Sequence, residues 1–379
     1  MIDGTCAEAF APLRDVLDRN LADGTDVGAS LAVVHDGELV ADLWGGEARP
    51  GVPWTRDTIV QVWSVTKTMV GLAVLVLADR GEIDLDAPVA SYWPEFGAAG
   101  KERVLVRHLM GHTSGLPGWD APITAEQCID LEASEALLAA QAPWYEPGSA
   151  PAYQIIDHGH LLDGVVRAAT GRPLAEVLRE EVVAPLSGGS PGFHLGVPDD
   201  ALAHCADLLP PPPSQLDYST LPPDHFLIRT AINPVLTTGF CNDTPWRRST
   251  VGGAAGHGNA RGIAQVQSVV SHGGEVGGVR LLSRETVDRI WEVQASGPDL
   301  VLMAPLTYGM GYALPTPSAP AVPDGKVCWW TGYGGSIVVN DAERRTTVAY
   351  AMNQMADHMV GSPRTDEYVA TAFACLEKL

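Results

Sequence analysis

Lysine is scarce in this chain of 379 residues: Lys67, Lys101, Lys326 and Lys378 are the only four. Lysine and arginine together number 24 against 46 acids, a formal net charge of −22. A phosphate backbone or an anionic membrane surface would be repelled over most of such a protein, so neither nucleic acid nor membrane is an expected partner. The six cysteines, Cys6, Cys128, Cys205, Cys241, Cys328 and Cys375, include no C-x-x-C pair. That argues against a zinc knuckle and a disulfide framework, and leaves reduced thiols as the expectation. No uninterrupted apolar run reaches the roughly 18 residues a bilayer-spanning helix needs. The opening residues, MIDGTCAEAFAPLRDVLDRN, carry acids where a secretion signal needs a basic region, so a cytoplasmic protein is expected. Internal repeats are absent as well.

Against these absences stands a hydrophobic content of 46% with 18% charged residues, the balance of a packed soluble core. Residues 7–22 place Phe10, Leu13, Val16, Leu17 and Leu21 at helical spacing before Gly24, which predicts an amphipathic helix. SLAVV and ELVADLW, joined through His35-Asp36-Gly37, predict a hairpin. Met69 to Leu77 is apolar on nearly every face, the mark of a buried helix. From about residue 81 to 255 the texture is of short helical patterns broken by Pro and Gly, among them EASEALLAAQ, HGHLLDGVVRAATG and PLAEVLREEVVAPL. That region ends in the Pro-rich stretch LLPPPPSQLDYSTLPPDHF, expected to be an ordered surface loop. After a further helix in AGHGNARGIAQVQSVV, the stretches TYGMGYAL, WWTGYGGSIVVND and RRTTVAYAMNQ read as strands. The short polar turn NDAERR pairs the last two as a hairpin, and DEYVATAFACLEKL predicts a closing helix. Strands at both ends with helices between imply an α/β (α+β) fold: an antiparallel sheet built from both termini and flanked by helices, with an inserted mainly helical domain. Residues 1–80 together with 256–379 would form the sheet domain and 81–255 the helical one. The groove between them is the natural ligand site.

The chemistry begins at VWSVTKTM, residues 62–69. Ser64 and Lys67 stand at i and i+3, so on a helix they share one face within contact reach. At a helix N-terminus Ser64 also feels the positive end of the macrodipole, which favours an alkoxide. A lysine wedged against an apolar helix loses hydration and its pKa falls, so the neutral amine can take the serine proton. S-x-x-K alone arises by accident, and a solvated surface lysine is the alternative. Position argues against that alternative, because the pair follows a strand-like run and opens a buried helix.

Four ordered motifs sharpen the reading: Ser64-Val-Thr-Lys67, VLVRHLMGHTSGLPGW, EPGSAPAYQ and WTGYGGS. Together they resemble the serine beta-lactamase and penicillin-binding-protein superfamily, and within it the class C-like, family VIII carboxylesterases, from about Gly28 to Asn353. The resemblance implies that Ser64 is the acyl-accepting nucleophile and Lys67 its proton partner. It implies that Tyr153 shares the base role and protonates the leaving group, its phenol acidified by Lys67. The backbone N–H groups of Ser64 and Tyr333 would form the oxyanion hole. Substrate would be bound by Trp330, Thr331, Gly332 and Tyr333 and by Gln154 and Ile155. Taken alone, Tyr153 reads more readily as a buried core tyrosine, and its spacing from the Pro-Gly pair and the helix that follows reverse that reading.

Two departures from the family pattern point away from beta-lactams. Ile155 stands where beta-lactamases carry an asparagine for the acylamide side chain, and Trp330 replaces the lysine that pairs with the lactam carboxylate. A tryptophan face suits a neutral acyl or aryl group. The expected function is a serine hydrolase that cleaves small to medium carboxylic esters through an acyl-enzyme. A transacylase or amide-forming enzyme with the same intermediate is the alternative. Beta-lactamase or D-amino-acid peptidase activity is disfavoured, and a non-catalytic binding protein more so because Ser64, Lys67 and Tyr153 are all present. The expected partner is a small-molecule ester or amide, with no cofactor and no metal.

Other candidates carry less. Gly188-Gly189-Ser190-Pro191-Gly192 is formally G-x-S-x-G but has no helix pattern directly after it, so it reads as a loop. His108 and His112 lack the glutamate of H-E-x-x-H and read as structural. His158 and His257 could reach the groove but are more often packing residues. Tyr145, Trp119, Trp329 and Tyr333 are either acyl-pocket walls or plain core and surface aromatics.

Overall fold

The computed structural model describes residues 2–188, 192–214 and 218–379. Among the described residues the main sheet has seven strands, built from both ends of the chain. The N-terminal segment supplies β1 (Ile2–Cys6), β2 (Gly28–His35) and β3 (Glu38–Arg49), and the C-terminal segment supplies β4 (Val327–Thr331), β5 (Ile337–Asp341) and β6 (Thr346–Met352). Their order is β1-β3-β2-β6-β5-β4, with the short strand Val52–Pro53 paired to the end of β3. Every pairing is antiparallel, and the two halves join where β2 runs against β6 from His35↔Thr346 to Ala29↔Met352. The fold class expected from the sequence is therefore the observed one.

The turns explain the pairing. Between β2 and β3, Asp36 and Gly37 both have positive φ, 49° and 83°, the backbone twist that a two-residue hairpin needs. Between β5 and β6 the Asp341 carboxylate accepts from the amides of Glu343 and Arg344 at 2.9 and 2.8 Å and closes the turn. β1 is absent from the sequence reading. IDGTC has no apolar run, and its side chains are alternately half-buried and exposed, so it holds its place through its ladder with β3.

Helices cover both faces of the sheet, which is why β2 is buried along almost its whole length. Leu31 and Val33 point to the side of α1 (Ala11–Asp23) and the closing helix, Pro363–Leu376. Ala32 and Val34 point to the other core, where the helix Ala260–Ser271 packs on the sheet. α1 buries Leu13, Val16 and Leu17 and stops at Gly24, whose φ of 81° is the left-handed C-cap conformation. In the second core lies α2 (Val65–Asp79), with every side chain from Val65 to Leu77 buried. Each fully buried Val or Leu contributes about 1.5–3 kcal/mol, so this helix is held by packing on all sides.

Between α2 and Ala260 the regular structure is mostly short helices joined by turns and loops, among them Leu131–Ala140 and α3 (His158–Thr170), which ends at Gly171 in the left-handed conformation. PLAEVLREEVVAPL is continuous helix from Leu174 to Leu186, with a wider π segment at Leu178–Val183. TYGMGYAL forms a strand only up to Tyr308, after which Ala313 bridges back to Trp329. Of the Pro-rich stretch, Leu209 donates to Asn353 O and most of the following prolines are exposed, while residues 215–217 lie outside the described residues. Gly189–Pro191 of the G-x-S-x-G match lie outside them too. All six cysteines are free thiols, and no described helix is long and apolar enough to cross a membrane.

Candidate active site

Ser64 is the residue at which α2 begins, and its hydroxyl does not cap the helix. It lies instead 2.9 Å from Lys67 Nζ, one turn further on. The residue before it, Trp63, has a φ of 47°, a left-handed backbone rarely adopted by a bulky side chain. Strain of that kind is held in place by surrounding structure and gathers at functional sites. A bond from Ser336 Oγ to Val62 O, at 2.9 Å, ties this turn to the start of β5. Gly332 is a glycine for the same reason, since a Cβ there would sit 2.2 Å from Val62 O.

Lys67 is 2% exposed, and three groups surround its amine: Ser64 Oγ, Ile155 O at 2.8 Å and Gly253 O at 2.7 Å. The two carbonyls can only accept. A neutral amine therefore spends both N–H bonds on them and turns its lone pair to the Ser64 hydroxyl. Burial supplies that neutral form: removal from water brings the amine down to about 7, against an opposing pull from the Asp157 carboxylate. The desolvated lysine anticipated from the sequence is thus present, in a geometry that can receive the serine proton.

Tyr153 completes the group. Its phenol accepts a hydrogen bond from Trp330 Nε1 at 3.0 Å, and its ring centroid lies 4.8 Å from Lys67 Nζ. Its backbone N–H donates to Asp299 Oδ1 at 3.2 Å, and the Asp299 carboxylate is itself fixed by the amides of Val301 and Leu302 and by the Tyr308 hydroxyl. The expected acidification of the phenol by Lys67 does not occur. Burial pushes it upward, and its hydrogen bonding with Ser64 and Trp330 only moderates the rise. Lys67, itself brought down to about 7, carries only part of a positive charge near neutrality, and burial outweighs it at the phenol.

Before this group opens a cavity of about 400 Å³ lined by Ser64 and Tyr153. Its walls include Ile155, Leu227, Ile228, Leu236 and Met359, with Trp63 and Tyr333 packed edge to face at 5.7 Å. Ile232, 62% exposed, stands at its rim. Among the described residues no acidic or basic side chain lines it. A second cavity of about 320 Å³ near Asp57, His194 and Arg261 has no serine, cysteine or lysine among its described lining residues.

The residues predicted to contact substrate divide into two sets. Ile155 and Tyr333 line the cavity. Trp330, Thr331, Gly332 and Gln154 stand behind it: the Trp330 N–H is taken by Tyr153, Thr331 Oγ1 donates to Ser336 O at 2.8 Å, Gly332 packs on Val62, and the Gln154 amide turns to Asp157. Arg364 steadies the loop after Tyr333, donating to Gly334 O at 2.9 Å while it pairs with buried Asp26 at 3.1 Å. His112, His158 and His257 are buried and held below their ordinary range by desolvation, and His257 is bonded to Ala255 O. Trp119 and Trp329 are core residues donating to backbone carbonyls, and Tyr145 packs on Phe226 outside the cavity lining. Sequence reasoning missed Trp63 and the cavity walls from Leu227 to Leu236. Only IRTAINPVL, an apolar patch within a Pro-rich region, hinted at them.

A sheet assembled from both termini, with a serine and a lysine on its buried helix and a tyrosine facing them, defines a serine hydrolase of the beta-lactamase fold. The chain belongs to the beta-lactamase family, whose model matches residues 13–372. It is 34% identical over 347 residues to the esterase/beta-lactamase LipL of Mycobacterium tuberculosis, covering 88% of this chain and 78% of that one. It is also 34% identical over 236 residues to esterase EstB of Burkholderia gladioli, covering 57% and 59%. Among solved structures, a family VIII carboxylesterase superposes with a TM-score of 0.92 at 35% identity over 99% of this chain and 100% of that one. A penicillin-binding protein homologue from Caulobacter crescentus gives 0.90 at 31% identity, with the same coverage.

Proposed function

We propose that the protein is a carboxylesterase that cleaves neutral, apolar carboxylic esters through an acyl-enzyme on Ser64. The observation that carries this reading is the Lys67 amine, held by two carbonyls with its third position on the Ser64 hydroxyl at 2.9 Å. In the proposed cycle the Ser64 O–H bond breaks, its proton passes to Lys67 Nζ, and Oγ attacks the ester carbonyl. The oxyanion forms against the backbone N–H groups of Ser64 and Tyr333, at the positive end of α2. Tyr153, with a phenol that burial keeps protonated, is the donor to the departing alkoxide. Water then attacks the acyl carbonyl and the proton transfers run in reverse. An uncharged, largely apolar cavity supports neutral esters as substrates, and it offers no cation to hold a lactam carboxylate. The esterase names of LipL, EstB and the family VIII structure point the same way.

The test is incubation with p-nitrophenyl butyrate beside a Ser64→Ala control, following nitrophenol release and intact mass. Turnover with a butyryl adduct on Ser64, both lost in Ser64→Ala, is the expected result. Turnover that survives Ser64→Ala would remove the acyl-enzyme. Amide or ester products that appear with an added amine or alcohol, in preference to hydrolysis, would make the protein an acyltransferase.

A further inference from the structure

Asp157 stands at the N-cap of α3 and caps nothing, since no helix amide is bonded to its side chain. An aspartate at that position ordinarily accepts from the second or third amide of the helix. Here the carboxylate is 1% exposed, Oδ2 accepts from the Gln154 amide at a long 3.4 Å, and Oδ1 has no hydrogen-bond partner. So poorly partnered a buried carboxylate is costly to keep, and the helix gains no cap from it. Lys67 feels that charge without an ion pair joining the two, its amine being bonded to Ile155 O, two residues before Asp157, and to Gly253 O. Gly253 in turn packs on the backbone of Ile156.

We propose that Asp157 is the positioning residue for Lys67: its carboxylate stabilises the ammonium that forms when the amine takes the Ser64 proton, and so sets the pH at which Ser64 becomes a nucleophile. The catalytic consequence rests on the acyl-enzyme reading, whereas the attraction between the two buried groups does not. In the step itself the Ser64 O–H bond breaks, an N–H bond forms on Lys67, and the new positive charge appears beside Asp157. Each group perturbs the other: burial holds Lys67 down and Asp157 up, both to about 7, while their mutual attraction opposes both shifts. The other titratable neighbours do not replace it. His112, on the loop before the cavity, and His158, next on α3, lie ring to ring at 4.8 Å and are kept neutral by burial. Tyr153, Tyr145 and Tyr308 hold their protons for the same reason, as does the Cys128 thiol. Asp299 is spent on backbone amides and on Tyr308.

The scarcity of lysine makes a direct test practical. Protein labelled with ¹³Cε-lysine carries four side-chain signals, and Lys67→Arg identifies the one that matters. Asp157→Asn keeps the shape and removes the charge, so the Lys67 titration is expected to move down by about one pH unit, the scale of a lost opposite charge at close range. The acid limb of kcat/KM for p-nitrophenyl butyrate is expected to move with it, with a lower plateau and little change in KM. An unmoved Lys67 titration in folded Asp157→Asn overturns the proposal. Should that variant not fold, Gln154→Met removes the side-chain donor to the carboxylate. Asp157 then keeps its proton to higher pH and Lys67 moves down by a smaller amount, and an unmoved signal there overturns the proposal equally. A protein that hydrolyses no ester would sink the esterase reading and leave the Lys67 titration to judge Asp157.

Discussion

Trp330 donates its indole N–H to the hydroxyl of Tyr153 at 3.0 Å, with the two rings 5.0 Å apart. The residue that the family resemblance would set against a substrate is therefore turned to a tyrosine of the site. Trp330→Phe keeps most of the ring and removes the donor. A hydrogen bond of this kind is worth about 1 kcal/mol net, and a misaimed phenol loses transition-state contact more than ground-state contact. The expected outcome is a fall in kcat of about fivefold with KM nearly unchanged, measured on p-nitrophenyl butyrate. A rise in KM with kcat intact would place Trp330 in substrate binding after all.

Activity should switch on with rising pH. Lys67 must be an amine to receive the serine proton, and desolvation brings its pKa to about 7. Below that value the amine is protonated, so kcat/KM falls roughly tenfold per pH unit; above it the rate reaches a plateau. A pH–rate profile with its acid limb near the ordinary carboxylate range would show that some other group governs the nucleophile.

The cavity predicts substrate preference. Each methylene moved from water into an apolar wall contributes about 0.8 kcal/mol, a factor of roughly four in kcat/KM. A series of p-nitrophenyl esters should therefore rise from acetate until the chain fills the cavity of about 400 Å³. An ester with a terminal carboxylate should fall at least about tenfold below its neutral isostere, because none of the described residues lining the cavity is basic and able to receive the charge. Equal rates for the charged and neutral esters would contradict the reading.

Gly332→Ala tests the seam between β4 and the nucleophile turn. Its Cβ would meet Val62 O at 2.2 Å, so the strand end must move away from Ser64. Displacement of about 1 Å at a reacting centre can cost about 10² in rate. A loss of that size, with a circular dichroism spectrum like that of the unsubstituted protein, is the expected outcome, and full activity would mean that the seam does not position the site.

Much of this molecule could be read along the chain because the deciding interactions are local. The Asp36-Gly37 turn, the apolar run of α2 and the one-turn spacing of Ser64 and Lys67 depend on residues a few positions apart, where backbone geometry alone brings side chains together. β1 escaped notice because an edge strand takes its order from its neighbour's hydrogen bonds. The cavity walls escaped for a related reason: Trp63, Ile155, Leu227 and Met359 meet only when distant segments pack.

By itself, then, the sequence determined the fold class, the family and the identity of a serine and a lysine set on one face of a buried helix. The tertiary structure alone decided that Trp330, Thr331, Gly332 and Gln154 stand behind the cavity, that the Tyr153 phenol rises instead of falling, and that Asp157 is buried where its charge acts on Lys67. Those outcomes depend on which groups are removed from water and which partners then remain in reach. Desolvation is a property of the packed whole, and no spacing along the chain encodes it.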